Sequence, residues 1–399
     1  DSPQAPDPGT DAPAAADQTF VYTDAADSSA ENSEILDRFA GTVVPGDGDL
    51  FSALPGSSLK PPENTGASGS TTDSVSRSGS LRPRNIQASE ELVEELSESS
   101  SDDQELDYVV LDELGEGGMG TVHLARQVAL GRNVALKQIH RKSGRDQSVR
   151  DEFLMEAVLT GKLEHPNIVP VYEVGESPGG ELFYSMKNIQ GQPWDDLIGT
   201  HTLDENLSIL VDVCDAVAFA HAEGVIHRDL KPQNIMIGGF GEVLVLDWGM
   251  AVLATADEDV MTSAGGTPSY MAPEMVNPPY CVGPRSDVYL LGGILFRLLT
   301  GRTPHDGESA IECLKSASRN EIVDPDADRQ RELDPSGELL GVALRAMKTL
   351  PEDRYQTVQE FQQSVRDFES HRESLPVSYT HLRAHETRHD LVCRLLLEK

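Results

Sequence analysis

A short stretch in the second half of the chain combines side chains that could transfer a phosphoryl group. Residues 227–234 read HRDLKPQN, and DWG follows at residues 247–249. An aspartate can accept a proton, while an asparagine and a second aspartate supply the hard oxygen ligands that Mg²⁺ prefers. Phosphoryl transfer from a nucleotide needs little covalent help and depends on positioning and charge neutralisation. The spacing therefore predicts metal-assisted phosphoryl transfer centred on Asp229, Asn234 and Asp247.

A glycine-rich stretch, GEGGMGTV at residues 115–122, lies upstream between two apolar runs. This pattern predicts a strand, a turn and a second strand. A dinucleotide-binding fingerprint would lead into a helix, and a Walker loop would carry Gly-Lys-Ser/Thr, which this stretch lacks. Because glycine has no Cβ, Gly115, Gly117, Gly118 and Gly120 allow the backbone to approach phosphate oxygens closely. We expect this turn to cover the phosphates of a nucleotide.

A lysine, Lys137, ends the apolar strand pattern VALK at residues 134–137. An ammonium group beside a triphosphate must itself be fixed, and a nearby carboxylate can do this. Glu156 and Glu152 both lie in residues 151–159, where the apolar side chains are compatible with one face of a helix. On this pattern alone, either glutamate could be the partner of Lys137.

The ordered motifs resemble those of protein kinases, and most closely the bacterial Hanks-type (eukaryotic-like) serine/threonine kinases. The HRDLxxxN and DFG spacings are matched, with Trp248 where phenylalanine is usual. LEHPNIV at residues 163–169 resembles the loop after the family's αC helix, and GTPSYMAPE at 266–274 resembles the end of a Ser/Thr-type activation segment. SDVY at 286–289 is typical of the bacterial branch.

The resemblance implies a catalytic role for several side chains. Asp229 would accept the proton of a substrate hydroxyl, and Lys231 would contact the γ-phosphate of ATP. Asn234 and Asp247 would hold Mg²⁺, with Mn²⁺ as an alternative. A lysine two places after the catalytic aspartate indicates a serine/threonine kinase rather than a tyrosine kinase. The alternatives are a pseudokinase that serves as a signalling scaffold and an ATP-dependent small-molecule phosphotransferase.

The same resemblance implies how ATP would be held. Lys137 would bind the α and β phosphates, and the offset of the loop at residues 163–169 favours Glu156 over Glu152 as its partner. The adenine would be enclosed by Val122, Ala135 and Met236, with Met186 as gatekeeper and Lys187 to Ile189 as the hinge.

Arg228, directly before Asp229, is typical of kinases that are switched by phosphorylation of the activation segment. The candidate sites are Thr262, Ser263 and Thr267, and we expect Thr262 to be the main one. Thr267 is also expected to bond to Asp229 and Lys231. Such autophosphorylation implies a transient homodimer, and the substrates would be proteins with serine or threonine.

The expected fold is α+β and has two lobes. Residues 105–186 would form a β-rich N-terminal lobe with the αC helix, and residues 187–371 a mainly helical C-terminal lobe. By resemblance, Asp287 would fix the catalytic loop, and Glu274 would pair with Arg354. His123 and His221 show no metal-ligand spacing and are expected to serve in packing.

Composition narrows the classes of function. The formal net charge of -35 argues against nucleic-acid binding through a basic surface. Four cysteines without a C-x-x-C pair indicate neither a zinc site nor a disulfide framework, which fits a cytoplasmic kinase domain. Residues 290–300 are apolar but too short to span a membrane, and no membrane segment is expected in this chain.

The two ends of the chain differ from the middle. Residues 1–104 are rich in Asp, Ser, Pro, Ala and Gly, and we expect this acidic segment to be disordered. In the tail at 372–399, residues 377–399 resemble the translation of a sequencing-library adapter. If so, the natural chain is expected to continue and to be membrane-anchored through a helix of the kind that bacterial relatives carry.

Overall fold

The computed structural model describes residues 84, 86–88, 106–141, 143–254, 259–325 and 327–372. A β-rich lobe comes first along the chain, and a mainly helical lobe follows it. The predicted α+β arrangement of two lobes is confirmed. Most of the predicted disordered segment and of the tail at 372–399 lies outside the described residues.

The N-terminal lobe is built on a six-stranded sheet, counted over the described part of the chain. The strands are β1 (Ile86–Ala88), β2 (Tyr108–Glu116), β3 (Gly120–Gln127), β4 (Arg132–Ile139), β5 (Val171–Glu176) and β6 (Leu182–Lys187). Their spatial order is β1-β2-β3-β4-β6-β5, and all neighbours are antiparallel except β1 and β2.

Helix α1 (Gln147–Lys162) packs on this sheet. The Asp146 side chain accepts the backbone N–H of Ser148 and caps the first turn, which satisfies one of the free amides of a helix start. The apolar residues form two small clusters. One cluster contains Tyr108, Ala125, Val134, Leu136 and Phe183, and the other contains Ile139, Phe153, Ala157, Leu182 and Tyr184.

Strand β1 lies inside the segment 1–104 that the composition predicts to be disordered, so that prediction is wrong at these residues. β1 pairs in parallel with β2. Arg84, just before it, forms ion pairs with Asp107 at 2.9 Å and with Glu173 at 2.5 Å. Its backbone N–H also donates to the carbonyl of Glu176. A few specific contacts with the folded lobe thus order a short piece of a polar segment.

The C-terminal lobe surrounds helix α5 (Pro284–Thr300), which is buried along nearly its whole length. Proline occupies its first turn, and Gly301 ends it with a φ of 72° in the left-handed region that glycine adopts readily. The other helices are α2 (Trp194–Leu197), α3 (Leu203–Ala222), α4 (Pro273–Val276), α6 (Ala310–Arg319), α7 (Ala327–Leu333), α8 (Glu338–Ala346) and α9 (residues 358–372).

Gly292 allows α5 and α8 to pack closely. A Cβ at this position would lie 2.6 Å from the Cβ of Ala346, which is far inside van der Waals contact. Apolar residues from α3, α5, α8 and α9 join in one continuous core. Leu230 and Trp248, which come from the loops that carry the candidate site, are part of this core.

Short strands position those loops. They are β7 (Gly191–Pro193), β8 (Val225–Ile226), β9 (Ile235–Gly238), β10 (Val243–Val245), β11 (Val252–Leu253), β12 (Val260–Met261) and β13 (Cys281–Val282). β10, β9 and β7 form one small sheet, β8 pairs with β11, and β12 pairs with β13. The HRDLKPQN stretch therefore runs from β8 to the start of β9, and Asp247 follows β10.

Among the helices of the described residues, the structure contains none with the length and apolar character needed to cross a membrane.

Candidate active site

The glycine-rich stretch forms the turn between β2 and β3. The N–H of Gly117 donates to the carbonyl of Gly120 at 2.9 Å and closes the turn. Gly120 must be glycine, because a Cβ there would lie 2.2 Å from the carbonyl oxygen of Gln138 on β4. At Gly115 and Gly118 an added Cβ would meet nothing within 4 Å. The sheet thus fixes one side of the turn and leaves the other side open for a ligand.

Lys137 on β4 pairs with Glu156 on α1. Its Nζ donates to Oε1 at 2.7 Å and to Oε2 at 2.9 Å, whereas Glu152 is not its partner. Glu156 is 3% exposed. Burial acts to lower the pKa of Lys137, but the negative charges of Glu156 and Asp247 raise it above its ordinary value. The ammonium group therefore stays charged and faces both lobes.

Asp287 at the start of α5 holds the catalytic loop from below. Its carboxylate accepts the backbone N–H groups of His227 and Arg228, both at 2.9 Å, and lies 2.7 Å from Nε2 of His221. Asp287 is fully buried. Although burial acts to raise it, the hydrogen bond and charge of His221 and the neighbouring His227 hold the pKa of Asp287 below its ordinary value.

These bonds hold Arg228 in an unusual backbone conformation, with a φ of 70°. A non-glycine residue in this region is strained and persists only where its surroundings impose it. His227 adds a further constraint, because its Nδ1 accepts the N–H of Asp229 at 3.2 Å. Its Nε2 must then donate to the carbonyl of Leu246 at 3.2 Å, which ties the loop to the end of β10.

Asp229, Lys231, Asn234 and Thr267 form one buried polar network. The Thr267 hydroxyl donates to Oδ1 of Asp229 at 2.7 Å and accepts from Nζ of Lys231 at 2.9 Å. The amide of Asn234 donates to the backbone carbonyl of Asp229 at 2.9 Å and to its Oδ2 at 3.2 Å. Burial raises the pKa of Asp229, against the lowering effect of Lys231 and Thr267. The carboxylate is thereby oriented and made more ready to take up a proton.

Asp247 lies beside this network with an exposed side chain and a φ of 56°. The backbone N–H of Leu246 donates to the carbonyl of Asn234 at 2.8 Å, so the two predicted metal ligands are held on adjoining backbone. A Cβ on Gly249 would lie 3.3 Å from both Asp247 Oδ1 and Glu156 Oε2, which shows how closely the lobes approach here.

The donor set fits a magnesium ion that arrives with a nucleotide. Within the described ranges, no cluster of three or more His, Cys, Asp or Glu side chains could hold a metal by itself. Mg²⁺ characteristically takes one or two protein oxygens and completes its shell with phosphates and water. The Asp247 carboxylate and the Asn234 amide oxygen match that number and type of protein ligand.

The residues predicted to enclose adenine lie on both lobes. Val122 stands opposite Lys137 on neighbouring strands, and Ala135 stands opposite Met186. Met236 lies on β9 of the C-terminal lobe, and Ile189 lies in the connection between the lobes. The structure therefore places the predicted adenine residues on strands of both lobes and on the segment that connects them.

Among the predicted regulatory residues, Ser263 contacts the Arg228 side chain through its backbone carbonyl. Its guanidinium donates to the carbonyls of Met250 at 3.2 Å and Ser263 at 2.7 Å, while Nε has no hydrogen-bond partner in the part of the chain that the structure describes. Burial lowers the pKa of Arg228 to about 10. Thr262 is half-buried and pairs through its N–H with Tyr280. The Thr267 side chain is buried, and its hydroxyl already bonds Asp229 and Lys231.

The predicted Glu274 and Arg354 pair is a bidentate ion pair, with distances of 2.6 and 2.8 Å. Arg354 also donates to three backbone carbonyls, and Ser286 donates to Glu274. This pair joins the end of the activation segment to α5 and to the segment before α9.

Two residues of the site have no signal in the sequence. His221 was expected to serve only in packing, yet it bonds Asp287, 66 positions away in the chain. The hydroxyl of Tyr184 donates to Glu156 Oε1 at 2.7 Å, and no motif marks this tyrosine. Both contacts depend on how separate elements pack, so spacing along the chain could not reveal them.

Comparison with known proteins agrees with this geometry. The family described as protein kinase domain matches residues 108–365. Serine/threonine-protein kinase PknB of Mycobacterium tuberculosis is 38% identical over 262 residues, which cover 63% of this chain and 41% of that kinase. PknB of Mycobacterium leprae matches to the same extent. PknD of Protochlamydia amoebophila is 34% identical over 301 residues, which cover 67% of this chain and 30% of that kinase.

The fold and site thus define a protein kinase domain. The chain belongs to the protein kinase family, in its bacterial Hanks-type serine/threonine branch. It spans less than half the length of these relatives.

Proposed function

We propose that this chain is a serine/threonine protein kinase that transfers the γ-phosphate of ATP to hydroxyl groups of proteins. The observation that carries the proposal is the buried network of Asp229, Lys231, Asn234 and Thr267, which lies next to Asp247 and across the cleft from the Lys137–Glu156 pair. The catalytic unit would extend over residues 105–371, with residues 105–186 and 187–371 as its lobes.

In this proposal Asp229 accepts the proton of the substrate hydroxyl as the hydroxyl oxygen attacks the γ-phosphorus of ATP, while the bond from that phosphorus to the β,γ-bridging oxygen breaks and ADP leaves. One carboxylate oxygen is oriented by Thr267 and the other by Asn234. The raised pKa of Asp229 improves its match to proton transfer near neutral pH. Because the network is held by the catalytic loop and the activation segment together, the base is aligned only when both are in place.

Positive charge is supplied from both sides of the cleft. Lys231 lies 3.5 Å from Asp229 Oδ2 and would neutralise charge on the transferred phosphate. Lys137 would hold the α and β phosphates from above. Asn234 and Asp247 would hold the magnesium ion, which would offset the negative charge of the phosphates. Mn²⁺ offers the same coordination chemistry.

The nucleotide would lie between the glycine turn and β9. Val122, Ala135 and Met236 would contact the adenine ring, Met186 would limit the depth of the pocket, and the backbone at Ile189 would bond the adenine edge. Gly115, Gly117, Gly118 and Gly120 would cover the phosphates, since their backbone is open on one side.

Regulation would act through Arg228. A phosphate on Thr262 or Ser263 would add about two negative charges beside the buried guanidinium, whose Nε is available as a donor. The new charge-assisted bonds would order the segment that ends in Thr267. Thr267 itself would serve in alignment rather than as the main phosphorylation site, because its hydroxyl already bonds two catalytic residues.

Partners and location are part of the same proposal. The substrates would be proteins rather than nucleic acids, and two copies of the chain would meet transiently during autophosphorylation. The described cysteines, Cys214, Cys281 and Cys313, are free thiols, which is the state expected of a domain in the reducing cytoplasm. A longer form of the protein would be anchored in the membrane.

The test is incubation of the full chain with Mg-ATP, followed by mapping of phosphorylated residues by mass spectrometry. We expect phosphate on Thr262 or Ser263 in the wild type and none in Asp229→Asn. Asp367→Asn, which changes an exposed carboxylate on α9, is the matched control and should behave as the wild type. A folded wild type that binds Mg-ATP but phosphorylates neither itself nor a basic test protein would instead indicate a pseudokinase scaffold.

A further inference from the structure

Tyr184 lies at the centre of the N-terminal lobe, directly opposite Lys137 on the neighbouring strand. β4 and β6 pair so that Lys137 and Tyr184 are cross-strand partners. Directly opposed side chains project from the same face of a sheet and lie within contact distance. Here that face is covered by α1, and Glu156 reaches down from the helix towards both of them.

The Glu156 carboxylate is shared between these two strand residues. Oε1 accepts the Tyr184 hydroxyl at 2.7 Å and the Lys137 ammonium at 2.7 Å, and Oε2 accepts Lys137 at 2.9 Å. Tyr184 is 4% exposed. Burial and the charge of Glu156 raise the pKa of Tyr184 well above its ordinary value, so the phenol keeps its proton and donates it.

The ring of Tyr184 touches the same helix at a second point. Its centroid lies 5.3 Å from that of Phe153, with a tilted arrangement of the two rings. Phe153 and Glu156 are three residues apart on α1 and share one helix face. Tyr184 therefore fixes both the rotation of α1 and the direction of the carboxylate.

We propose that Tyr184 is a positioning residue that holds Glu156 towards Lys137 and so keeps the N-terminal lobe ready for the phosphates of ATP. This inference rests on the proposed kinase function, since the value of the Lys137–Glu156 pair lies in nucleotide binding. The lysine has three N–H donors, of which Glu156 takes two. Because Tyr184 fixes the carboxylate, the third N–H group of Lys137 keeps a single orientation.

A population argument gives the kinetic signature. Loss of the hydroxyl lowers the fraction of enzyme in which Glu156 and Lys137 are aligned, and the apparent affinity for ATP falls by that fraction. Saturating ATP draws the population back to the aligned state. We expect Tyr184→Phe to raise KM for ATP about tenfold, the equivalent of one hydrogen bond to a charged group, with kcat changed less than about twofold.

Tyr108→Phe is a matched control. Tyr108 is also fully buried in this lobe, and its hydroxyl also donates to a carboxylate, Glu173, at 2.8 Å. The same atom is lost from a comparable bond, but away from Lys137. KM for ATP in Tyr108→Phe should stay within about twofold of the wild type, even if the thermal unfolding midpoint falls.

Binding of Mg-ATP, measured by titration calorimetry, separates this inference from the proposed function. If the wild type binds Mg-ATP without transferring phosphate, the kinase proposal fails, yet a weaker Mg-ATP affinity in Tyr184→Phe would still support the positioning role. In a Glu156→Gln background, Tyr184→Phe should add less than about a twofold change in affinity, because the hydroxyl acts through this carboxylate.

Three results would overturn the inference. One is a fall in kcat with KM and Mg-ATP affinity unchanged in Tyr184→Phe, which indicates loss of folded enzyme alone. Another is an equal rise of KM in Tyr108→Phe. The third comes from Phe153→Leu, which keeps the hydroxyl bond but removes the ring contact. A tenfold rise of KM there, without one in Tyr184→Phe, would assign the effect to packing.

Discussion

In the C-terminal lobe the catalytic loop rests on one continuous apolar core, whereas in the N-terminal lobe two small clusters surround the Lys137–Glu156 pair. Asp287 holds the catalytic loop through backbone N–H groups, which cannot change rotamer. Lys137 and Glu156 are joined through long side chains, one on a strand and one on a helix. The C-terminal lobe therefore holds the catalytic loop rigidly. In the N-terminal lobe, the alignment of the Lys137–Glu156 pair depends on a few side-chain bonds.

Two buried ion pairs, one in each lobe, illustrate the difference between the lobes. Arg354 has a fully buried side chain and bonds Glu274 together with three backbone carbonyls. The Lys137 side chain is 16% exposed at the cleft. We infer that the first pair mainly stabilises the fold and that the second mainly serves nucleotide binding.

The largest expected effect tests that inference by replacing the basic residue of each ion pair, Arg354 or Lys137, with methionine. Arg354→Met should lower the free energy of unfolding by about 3–5 kcal/mol, because it leaves Glu274 and several carbonyls without their buried donor. Lys137→Met should cost about 2 kcal/mol or less in stability, while the phosphorylation rate falls at least about 100-fold. Urea unfolding and an ATP turnover assay give the two quantities. Equal stability losses in the two variants would contradict the distinction between the lobes.

The next effect concerns Asp287 and the backbone N–H groups of the catalytic loop that it holds. Asp287→Asn replaces an acceptor of two backbone N–H groups by an amide that can accept through only one of its two terminal atoms. We expect a loss of about 2–3 kcal/mol in stability and about a 100-fold fall in kcat, with KM for ATP within about threefold of the wild type. Denaturant titration and steady-state kinetics would show this. If KM rose as strongly as kcat fell, the loop would not be the part that Asp287 positions.

The same aspartate predicts a pH dependence of stability. The pKa of Asp287 is lower in the folded protein than in the unfolded chain, so its contribution is fully present above the unfolded value of about 3.9 and is lost as the pH falls through the folded value. The stability difference between the wild type and Asp287→Asn should shrink as the pH falls from about 5 to below about 4, a range in which exposed imidazoles are already protonated. Unfolding midpoints across this range measure it. A difference that grows on acidification would reverse the sign of the assigned shift.

The smallest effect is expected at the edge of the N-terminal lobe. Arg84→Ala removes two ion pairs that are about a third exposed, and such pairs contribute roughly 0.5 kcal/mol each. The thermal midpoint should fall slightly, and the amides of Ile86–Ala88 should exchange with solvent faster. Arg331→Ala, at an exposed ion pair with Asp328, should change neither quantity. Unchanged exchange at β1 in Arg84→Ala would mean that strand pairing alone holds this segment.

Particular residues show how much of the site and fold could be predicted from the sequence. The HRDLKPQN stretch and its spacing to Asp247 predicted the chemistry, because those residues come from one short stretch and the strand pair that follows it. The choice between Glu152 and Glu156 needed the family's loop spacing, since both lie on the same predicted helix. The strand at Ile86–Ala88 was missed because the polar composition of this segment predicts disorder. Composition does not show that one arginine, Arg84, forms ion pairs with two acidic residues of the folded lobe.

The sequence by itself determined the protein kinase family, the two-lobed α+β architecture and the side chains proposed to carry the chemistry. Those properties follow from local motifs and their order along the chain. The tertiary structure alone decided that His221 supports Asp287 and that Tyr184 shares Glu156 with Lys137. These contacts join residues 66 and 28 positions apart, so they exist only after helices and strands have packed against one another.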